Sequence, residues 1–297
     1  MVKIAFIGFG EAARAFVRTL GGHGLAFSAF DILTERGADA GVRAAAAELG
    51  VALCSSPGEA AAGAGWIVSA VTAADSLDAG RSVAGTLDAG QVFIDINSVS
   101  PARKQQTALL VGANGASYVD MAVMAPVNPR GHRTPVLIAG PACGEIAGDL
   151  RDLGFDFSVA GDEIGAATAI KMIRSLFVKG VEAVAVQTLM AAHAAGRFDE
   201  IYASLSTSFP QFGWPDFAAY QVERVATHGI RRAAEMRESA ASMEELGFPA
   251  GKALAEGIAK VQQSVGELRR AVPAGADLAG TVAALADAIG STRGQEE

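Results

Sequence analysis

A glycine-rich turn follows the first apolar segment of the chain. The run Gly8-Phe9-Gly10-Glu11-Ala12-Ala13 matches G-x-G-x-x-G/A, comes after Lys3–Ile7 and opens a helix-favouring stretch, Ala12 to Leu20. The first glycine permits the tight turn, the second lets the backbone approach a pyrophosphate, and the small sixth residue keeps helix and strand close. Free N–H groups at the helix N-terminus favour negative charge. The turn therefore predicts a dinucleotide site.

Short apolar runs alternate with alanine-rich segments over residues 1–161. Many of these runs lack polar alternation, which is typical of strands that are covered on both faces. Alternating strands and helices predict an α/β domain of the Rossmann type, with a doubly wound, mostly parallel sheet. The predicted strands are Lys3–Ile7, Ala26–Phe30, Val51–Cys54, Trp66–Val71, Val92–Ile96, Ser117–Met121, Val136–Ala139 and Phe155–Val159.

The hydrophobic pattern changes in the second half of the chain. From about Asp162 onward no strand is predicted, and apolar residues recur at helical spacing, with Asp162 itself as an expected helix N-cap. We therefore predict a Rossmann domain over residues 1–161 and an all-α domain over residues 162–297. The apolar stripe of the first long helix comprises Ile170, Ile173, Phe177, Val181 and Val184.

Composition excludes several classes of protein. A net charge of -8 argues against a nucleic-acid partner. The two cysteines, Cys54 and Cys143, indicate no disulfide framework and favour the cytoplasm. No run is expected to reach the roughly 20 apolar residues of a membrane helix, since Lys179 and Glu182 interrupt the best candidate, Leu176 to Ala192. Motifs for zinc, a P-loop or an α/β-hydrolase are absent, and we expect no metal.

An acidic residue ends the second predicted strand. Asp31 lies 23 residues beyond Gly8, where a carboxylate would hydrogen-bond the adenosine ribose. A 2′-phosphate about 4 Å away would cost roughly 4 kcal/mol at an effective dielectric of about 20. We therefore predict NAD, with NADP as the alternative because Arg36 could accept a 2′-phosphate. In the purely structural interpretation, the glycines only close a turn and Asp31 caps a helix.

A lysine stands on the predicted helix that opens the second domain. Lys171 shares one helical face with Arg174, Ser175 and Val178, away from the apolar stripe. These polar groups project together from an otherwise apolar segment. The pattern fits a solvated face with buried side-chain stems, and it also fits a site.

Four segments carry a resemblance to a known family. They are the Gly8 turn, Asp95–Pro101 (similar to D-x-S-T-x-x-P), Tyr118–Pro126 (similar to D-A-P-V-S-G-G) and Gly165–Ser175 (similar to G-x-x-x-x-x-K-x-x-N-N). The chain resembles the β-hydroxyacid dehydrogenases, which include 3-hydroxyisobutyrate and 6-phosphogluconate dehydrogenases. The resemblance covers nearly the whole chain and is strongest to a phosphogluconate-dehydrogenase-like subgroup with its own C-terminal helical domain.

The resemblance implies that Lys171 is the catalytic acid/base and that the helical domains form a homodimer. Oxidation of an alcohol requires the hydroxyl proton to leave as the carbonyl forms. A partly buried lysine is expected to have a lowered pKa, so it can accept that proton near neutral pH. The expected reaction is a reversible hydride transfer between the nicotinamide and a small, polar, acidic hydroxy metabolite in the interdomain cleft.

The turn and the resemblance together predict the contacts of cofactor and substrate. The cofactor residues are Gly8, Phe9, Gly10, Glu11, Ala12, Asp31, Val71, Thr72, Asn97 and Arg232. The substrate residues are Ser98, Met124, Ala125, Pro126, Arg174, Ser175 and His228. Arg232 is included because, counted back from Pro249, it falls where the family has a lysine. An exposed basic face is the alternative for His228 and Arg232.

The chain departs from the family where the substrate would bind. Met124-Ala125-Pro126 replaces Ser-Gly-Gly, and Pro126 has no N–H to donate. Arg174 and Ser175 replace two asparagines. We therefore expect a different or larger substrate, with Arg174 as an anion partner. The basic loop Asn128–Pro135 is interpreted either as lining the entrance or as a solvated turn.

Two other functions fit the same sequence. One is an imine reductase of the same architecture, although the resemblance implies that this class usually replaces the lysine at position 171. The other is a catalytically silent protein that binds NAD(H).

Overall fold

The computed structural model describes the backbone of residues 3–293 and the side chains of residues 3–289. Residues 294–297 of the predicted helical domain lie outside the described residues. The strands are β1 Lys3–Ile7, β2 Ala26–Phe30, β3 Ala52–Leu53, β4 Trp66–Ser69, β5 Val92–Asp95, β6 Ser117–Val123, β7 Val136–Ala139 and β8 Phe157–Gly161. The helices are α1 Glu11–Leu20, α2 Ala40–Leu49, α3 Pro57–Ala61, α4 Ser76–Ala84, α5 Pro101–Gly112, α6 Cys143–Asp152, α7 Ala166–Ala194, α8 Phe198–Ser208, α9 Asp216–Glu245, α10 Pro249–Glu267 and α11 Leu278–Arg293.

The eight strands form one sheet in the order β3-β2-β1-β4-β5-β6-β7-β8. Neighbouring strands are parallel except for β6 and β7, which pair antiparallel. Strands β2 and β3 lie on one side of β1, and β4 to β8 lie on the other, so the strand order reverses between β1 and β4. This is the switch point where doubly wound sheets bind ligands. The predicted α/β fold is confirmed, and all eight strands lie where the sequence predicts them, with shifted ends in five. Strand β3 keeps only two of its four predicted residues, because this edge strand pairs only with Ser28 and Ala29.

The first unit of the chain buries apolar side chains on both faces of this sheet. Alternate residues of β1 point to opposite sides: Ile4 and Phe6 lie in one core cluster, Ala5 and Ile7 in the other. A strand covered on both faces has no solvated side on which polar residues would alternate. This explains the unbroken apolar runs of the first 161 residues.

The chain divides into two compact units between Met172 and Ile173, within helix α7. The second unit is helical throughout its described residues, as predicted. Its helices α9 and α10 approach closely at Gly229 and Gly266, since a Cβ on Gly229 would lie 2.2 Å from the carbonyl oxygen of Gln262. Only glycine permits this backbone contact.

Helix α7 differs from its prediction in two ways. It begins at Ala166, so Asp162 does not cap it. Its first turn is capped instead from β6, where Asp120 Oδ2 accepts a hydrogen bond of 3.0 Å from the Thr168 N–H. The predicted apolar stripe is also largely exposed, since Ile173 is 49%, Phe177 74% and Val184 68% accessible.

The buried side of α7 carries charged residues in the second unit. Lys179 and Glu182 are 6% and 1% exposed. By length and composition alone α7 is apolar enough to cross a membrane, a test that the core helix of a folded domain also passes. Lys179 and Glu182 interrupt its apolar run, as expected from the sequence, and both are buried in the protein. Its ion pairs with neighbouring helices are those of a core helix.

Candidate functional site

The glycine turn sits at the carboxyl end of β1. Gly8 has φ +89°, and a Cβ there would lie 2.5 Å from the Ala70 carbonyl oxygen, so its own surroundings require glycine. Gly10 precedes α1, and a Cβ there would meet nothing within 4 Å. Packing within the protein therefore gives no reason for glycine at position 10. A glycine at position 10 lets the pyrophosphate of a ligand approach the protein backbone closely, so the turn fits a dinucleotide.

Asp31 braces this turn. Its Oδ2 accepts a hydrogen bond of 2.8 Å from the Phe9 N–H, and its Oδ1 accepts one of 3.0 Å from the Leu33 N–H. A carboxylate has about four acceptor positions, so two remain for ribose hydroxyls. Phe9, which is predicted to contact the cofactor, is 0% exposed as a whole residue, and its N–H already donates to Asp31.

Sequence reasoning missed Arg14, which completes the turn. Its Nε donates a hydrogen bond of 2.8 Å to the Phe9 carbonyl, and its guanidinium lies 5.6 Å from the centre of the Phe9 ring. The sequence signal that could have identified Arg14 is a cation in the first turn of the helix that follows the glycines. Glu11, exposed at the start of α1, accepts a 3.2 Å hydrogen bond from Asn128 Nδ2, while Ala12 is half-buried on the same turn.

The ends of β4 and β5 meet beside the glycine turn. Asn97 Oδ1 accepts a hydrogen bond of 2.8 Å from the Val71 N–H, and Asn97 Nδ2 donates one of 2.9 Å to Ser69 Oγ. Val71 Cγ1 lies 2.6 Å from the position of a Cβ on Gly8. Thr72 is exposed and donates to Asp75 at 2.5 Å. The structure thus brings the predicted residues Val71, Thr72 and Asn97 to the same edge as the turn.

Lys171 reaches this edge from the second turn of α7. Its Nζ donates a hydrogen bond of 2.5 Å to Ser98 Oγ, directly after Asn97. Lys171 is half-buried. Two residues predicted separately, the lysine from G-x-x-x-x-x-K and the serine from D-x-S-T, are therefore in direct contact.

A buried charged cluster lies just beneath Ser98, and the sequence analysis did not identify it. Asp95, Lys104 and Asp120 are all 0% exposed. Lys104 Nζ is 3.0 Å from Asp95 Oδ1 and 3.4 Å from Asp120 Oδ1. Tyr118 donates a hydrogen bond of 2.8 Å to Asp95 Oδ2. Burial, followed by the charge of Asp95, raises the pKa of Tyr118 well above 10.0, so its hydroxyl stays protonated.

The segment that replaces Ser-Gly-Gly is partly exposed. Met124 packs against the cluster of Ala122, Ala139 and Ala167, the last of which lies in the first turn of α7. Its N–H donates to the Pro135 carbonyl at 2.9 Å. Ala125 and Pro126 are exposed. This segment therefore offers apolar surface beside the helix that carries Lys171, and few donors.

The basic loop packs its centre against helix α1, whereas Arg130 and Arg133 are exposed. His132 is 0% exposed, with its Nδ1 2.8 Å from Thr19 Oγ1 near the C-terminus of α1. Burial, then the charge of Arg133, lowers the pKa of His132. The interpretation of the loop as a solvated turn is therefore wrong at His132, which is packed into the sheet unit.

The remaining predicted residues belong to the helical unit. Arg174 is exposed, whereas Ser175 is buried and accepts a hydrogen bond of 3.0 Å from Lys179 Nζ. His228 is half-buried, and burial, followed by the charge of Arg224, lowers its pKa.

Arg232 is tied to Glu182 in the helical unit. Its Nη1 lies 2.6 Å from both carboxylate oxygens of Glu182, and Gln262 Nε2 donates to Oε2 of the same group at 3.0 Å. Burial lowers the pKa of Arg232, and the charge of Glu182 opposes that shift. Sequence reasoning missed Glu182 and Gln262, because helical spacing does not show which buried polar residues will meet across helices.

Known proteins share both parts of this architecture. A profile of the NAD binding domain of 6-phosphogluconate dehydrogenase matches residues 3–140, and a domain of unknown function, DUF1932, matches residues 192–265. A conserved hypothetical protein from Sinorhizobium meliloti 1021 is 35% identical, with 97% of this chain and 96% of that chain covered and a TM-score of 0.74.

Two further solved structures are similar. A conserved protein of unknown function, itself described as structurally similar to 3-hydroxyacid dehydrogenases, is 27% identical over 90% of this chain and 99% of that one, with a TM-score of 0.65. The 3-hydroxyisobutyrate dehydrogenase of Mycobacterium tuberculosis is 18% identical over 95% of this chain and 98% of that one, with a TM-score of 0.69. At that identity the likeness shows the fold alone.

The sheet, its glycine turn and the matched domain define a nicotinamide-dinucleotide-binding protein with a dehydrogenase-like fold. The chain belongs to the same family as the Sinorhizobium meliloti protein, and it combines an NAD binding domain of the 6-phosphogluconate dehydrogenase type with a C-terminal DUF1932 domain. Its structure is similar to those of 3-hydroxyacid dehydrogenases.

Proposed function

We propose that this protein is a dehydrogenase or reductase that transfers hydride between NAD(H) and a small acidic hydroxy or carbonyl metabolite. The observation that carries the proposal is the 2.5 Å contact of Lys171 Nζ with Ser98 Oγ, next to Asn97 at the carboxyl edge of the sheet. An ammonium group and a hydroxyl at that edge are the groups that a carbonyl oxygen needs as partners.

The nicotinamide, when bound, supplies or accepts the hydride. Lys171 moves the proton: its Nζ donates to the carbonyl oxygen during reduction and accepts the hydroxyl proton during oxidation. Ser98 Oγ accepts a hydrogen bond from Lys171, so its own proton remains available to orient the same substrate oxygen. The backbone at Gly8 to Ala12 binds the pyrophosphate, with the N-terminus of α1 behind it.

We propose NAD over NADP because of Asp31. Asp31 is 9% exposed, and its carboxylate accepts two backbone hydrogen bonds, which hold the negative charge at the end of β2. A 2′-phosphate would face that charge. The expected outcome is tighter binding of NADH than of NADPH, measured by fluorescence titration, and Asp31→Asn should narrow the difference.

The substrate should be larger or less polar than a simple β-hydroxyacid near its carboxylate. Met124, Ala125 and Pro126 provide apolar surface there and no hydroxyl. Exposed Arg174 carries a charge that could pair with an acidic group. Normal turnover of 3-hydroxyisobutyrate by the unaltered protein would contradict this.

The first experiment follows nicotinamide absorbance with NADH and NADPH against aldehydes, ketoacids, ketones and cyclic imines. Lys171→Met removes the amine at nearly constant shape, and we expect turnover of a carbonyl compound to fall by about 10²–10⁴-fold, as for loss of a general acid. Lys260→Met, which removes an exposed lysine on α10, is the matched control and should leave turnover unchanged.

The other outcomes of that experiment decide between classes. Turnover of imines alone would identify an imine reductase of the same architecture. Cofactor binding without any turnover would identify a silent NAD(H)-binding protein. Carbonyl turnover that persists in Lys171→Met would remove the lysine from the mechanism.

We also propose that the protein is a homodimer that forms through the helical unit. Support comes from the surface of α7, where Ile173, Phe177 and Val184 are between 49% and 74% exposed. Large apolar side chains grouped on one helix face mark interaction surfaces.

A further inference from the structure

The charged cluster of the sheet unit is buried where apolar residues would pack equally well. Asp95, Lys104 and Asp120 are all fully buried, and one lysine faces two carboxylates. Desolvation of such groups commonly cancels their attraction, and apolar replacements are often as stable. Lys104 Nζ also donates to the Asp95 backbone oxygen at 2.7 Å. Stability alone therefore does not explain why these positions are charged. Their hydrogen bonds to residues outside the cluster are more informative.

One outward contact leads directly to helix α7. Asp120 Oδ2 accepts from the Thr168 N–H at 3.0 Å, so a negative charge caps the positive end of the helix dipole. Thr168 stands three residues before Lys171, one turn earlier on the same face. The position of Asp120 thus sets where the turn bearing the lysine begins.

A second contact leads to the other half of the Lys171–Ser98 pair. Thr168 Oγ1 donates a hydrogen bond of 2.7 Å to the carbonyl oxygen of Val99, the residue after Ser98. Thr168 is 0% exposed, so neither bond competes with water. One residue therefore holds both the helix of Lys171 and the backbone next to Ser98.

Asp95 extends the same network towards the cofactor edge. Its Oδ1 accepts from the Asn97 N–H at 2.9 Å, and Asn97 holds the Val71 N–H. The cluster therefore joins the segment proposed to bind the nicotinamide cofactor to the helix that carries the acid/base. All of these residues belong to the first unit.

We propose that Asp120 and Thr168 are positioning residues, which hold Lys171 Nζ against Ser98 Oγ, and that Lys104 keeps Asp120 in place by ion pairing. The inference rests on the proposed function of Lys171. A displacement of about 1 Å at a reacting group can cost about 10²-fold in rate. Neither residue touches the substrate in this account, so both act through Lys171.

The test uses variants of Thr168 with a conservative partner. Thr168→Val loses the hydroxyl at nearly constant volume, whereas Thr168→Ser keeps it. Asp120→Ala removes the cap of α7. Gln91→Met is the matched control, because Gln91 is buried at the opposite end of β5 and its Nε2 donates to the carbonyls of Ala61 and Ala64.

Two readouts separate positioning from stability. The first is the pH dependence of acetylation of Lys171 by acetic anhydride, measured by mass spectrometry, which needs no substrate. We expect the apparent pKa of Lys171 to change by about 0.5 or more in Asp120→Ala and Thr168→Val, and to remain unchanged in Thr168→Ser and Gln91→Met. The second is turnover: kcat should fall about 10-fold in Thr168→Val and about 10²-fold in Asp120→Ala, with KM for the cofactor unchanged.

The outcomes distinguish this inference from the proposed function. Unchanged Lys171 labelling in Thr168→Val would overturn the positioning role even if the protein turns over a substrate normally. Altered labelling without any turnover would support the positioning role while the proposed function fails. If Asp120→Ala does not fold, the Thr168 pair still decides. Equal losses in Gln91→Met and Thr168→Val would mean that stability alone is involved.

Discussion

The two units of this chain place charge and apolar surface in opposite ways. In the sheet unit apolar side chains fill both faces of the sheet, and buried charge gathers at its carboxyl edge in Asp95, Lys104 and Asp120. In the helical unit ion pairs of Lys179 and Glu182 are buried between helices, while apolar residues of α7 are exposed. A parallel sheet has to be covered on both faces, whereas a helix can turn either side inward. The buried charge of the first unit therefore lies beside the proposed site, and that of the second unit joins neighbouring helices.

The largest expected effect comes from breaking one buried pair in each unit. Lys104→Met leaves two carboxylates without a counter-charge, and Glu182→Gln leaves Arg232 unpaired. We expect each to lower the free energy of unfolding by about 3–5 kcal/mol, measured by urea denaturation. If the two units differ as described, only Lys104→Met also changes the labelling of Lys171, and a change in both would break the comparison.

The second effect tests whether the exposed apolar residues of α7 form an interface. Phe177→Glu puts a charge on this surface, and we expect the dimer dissociation constant to rise about 100-fold, which corresponds to roughly 2.7 kcal/mol. Light scattering coupled to gel filtration measures it. Leu109→Glu is the control, because Leu109 is 79% exposed on α5 in the sheet unit. A monomeric unaltered protein would refute the proposed homodimer.

Gly8 and Gly10 should respond differently to substitution by alanine. Gly8→Ala forces a Cβ against the Ala70 carbonyl at positive φ, so we expect a loss of about 1–3 kcal/mol in stability. Gly10→Ala meets no atom of the protein and should change stability by less than about 1 kcal/mol, yet weaken NADH binding. Thermal melts without NADH measure the loss of stability in each variant, and the additional shift on adding NADH measures the binding. Unchanged NADH affinity in Gly10→Ala would contradict the pyrophosphate site.

The smallest effect concerns pH and the sheet unit. Burial lowers the pKa of His132, so below the usual value of about 6.5 the unfolded chain takes up a proton that the folded chain does not. The contribution of this group to stability is complete above that pH and declines as the pH falls towards the folded pKa, by at most about 1.4 kcal/mol per pH unit. The midpoint of urea unfolding should differ less between pH 7.5 and pH 5.5 in His132→Asn than in the unaltered protein. An equal difference in both proteins would exclude His132 as its source.

The motifs identified residues that the structure brings together, but they did not predict the contacts that these residues make. Asp31 was predicted for its reach to a ribose, and its carboxylate also braces the glycine turn. Lys171 and Ser98 came from separate motifs, and their contact depends on the end of β5 meeting the start of α7. Asp120 lay inside a quoted motif but was not selected, because its partner Thr168 is 48 residues away.

The sequence by itself determined the strand–helix order, the position of the glycine turn and the helical character of the second half. These features depend on local spacing and backbone freedom, which a single chain segment displays. Only the tertiary structure decided which side of α7 is buried, that His132 packs on α1, and that Arg232 pairs with Glu182. Each of these depends on a partner far along the chain, which local spacing does not show.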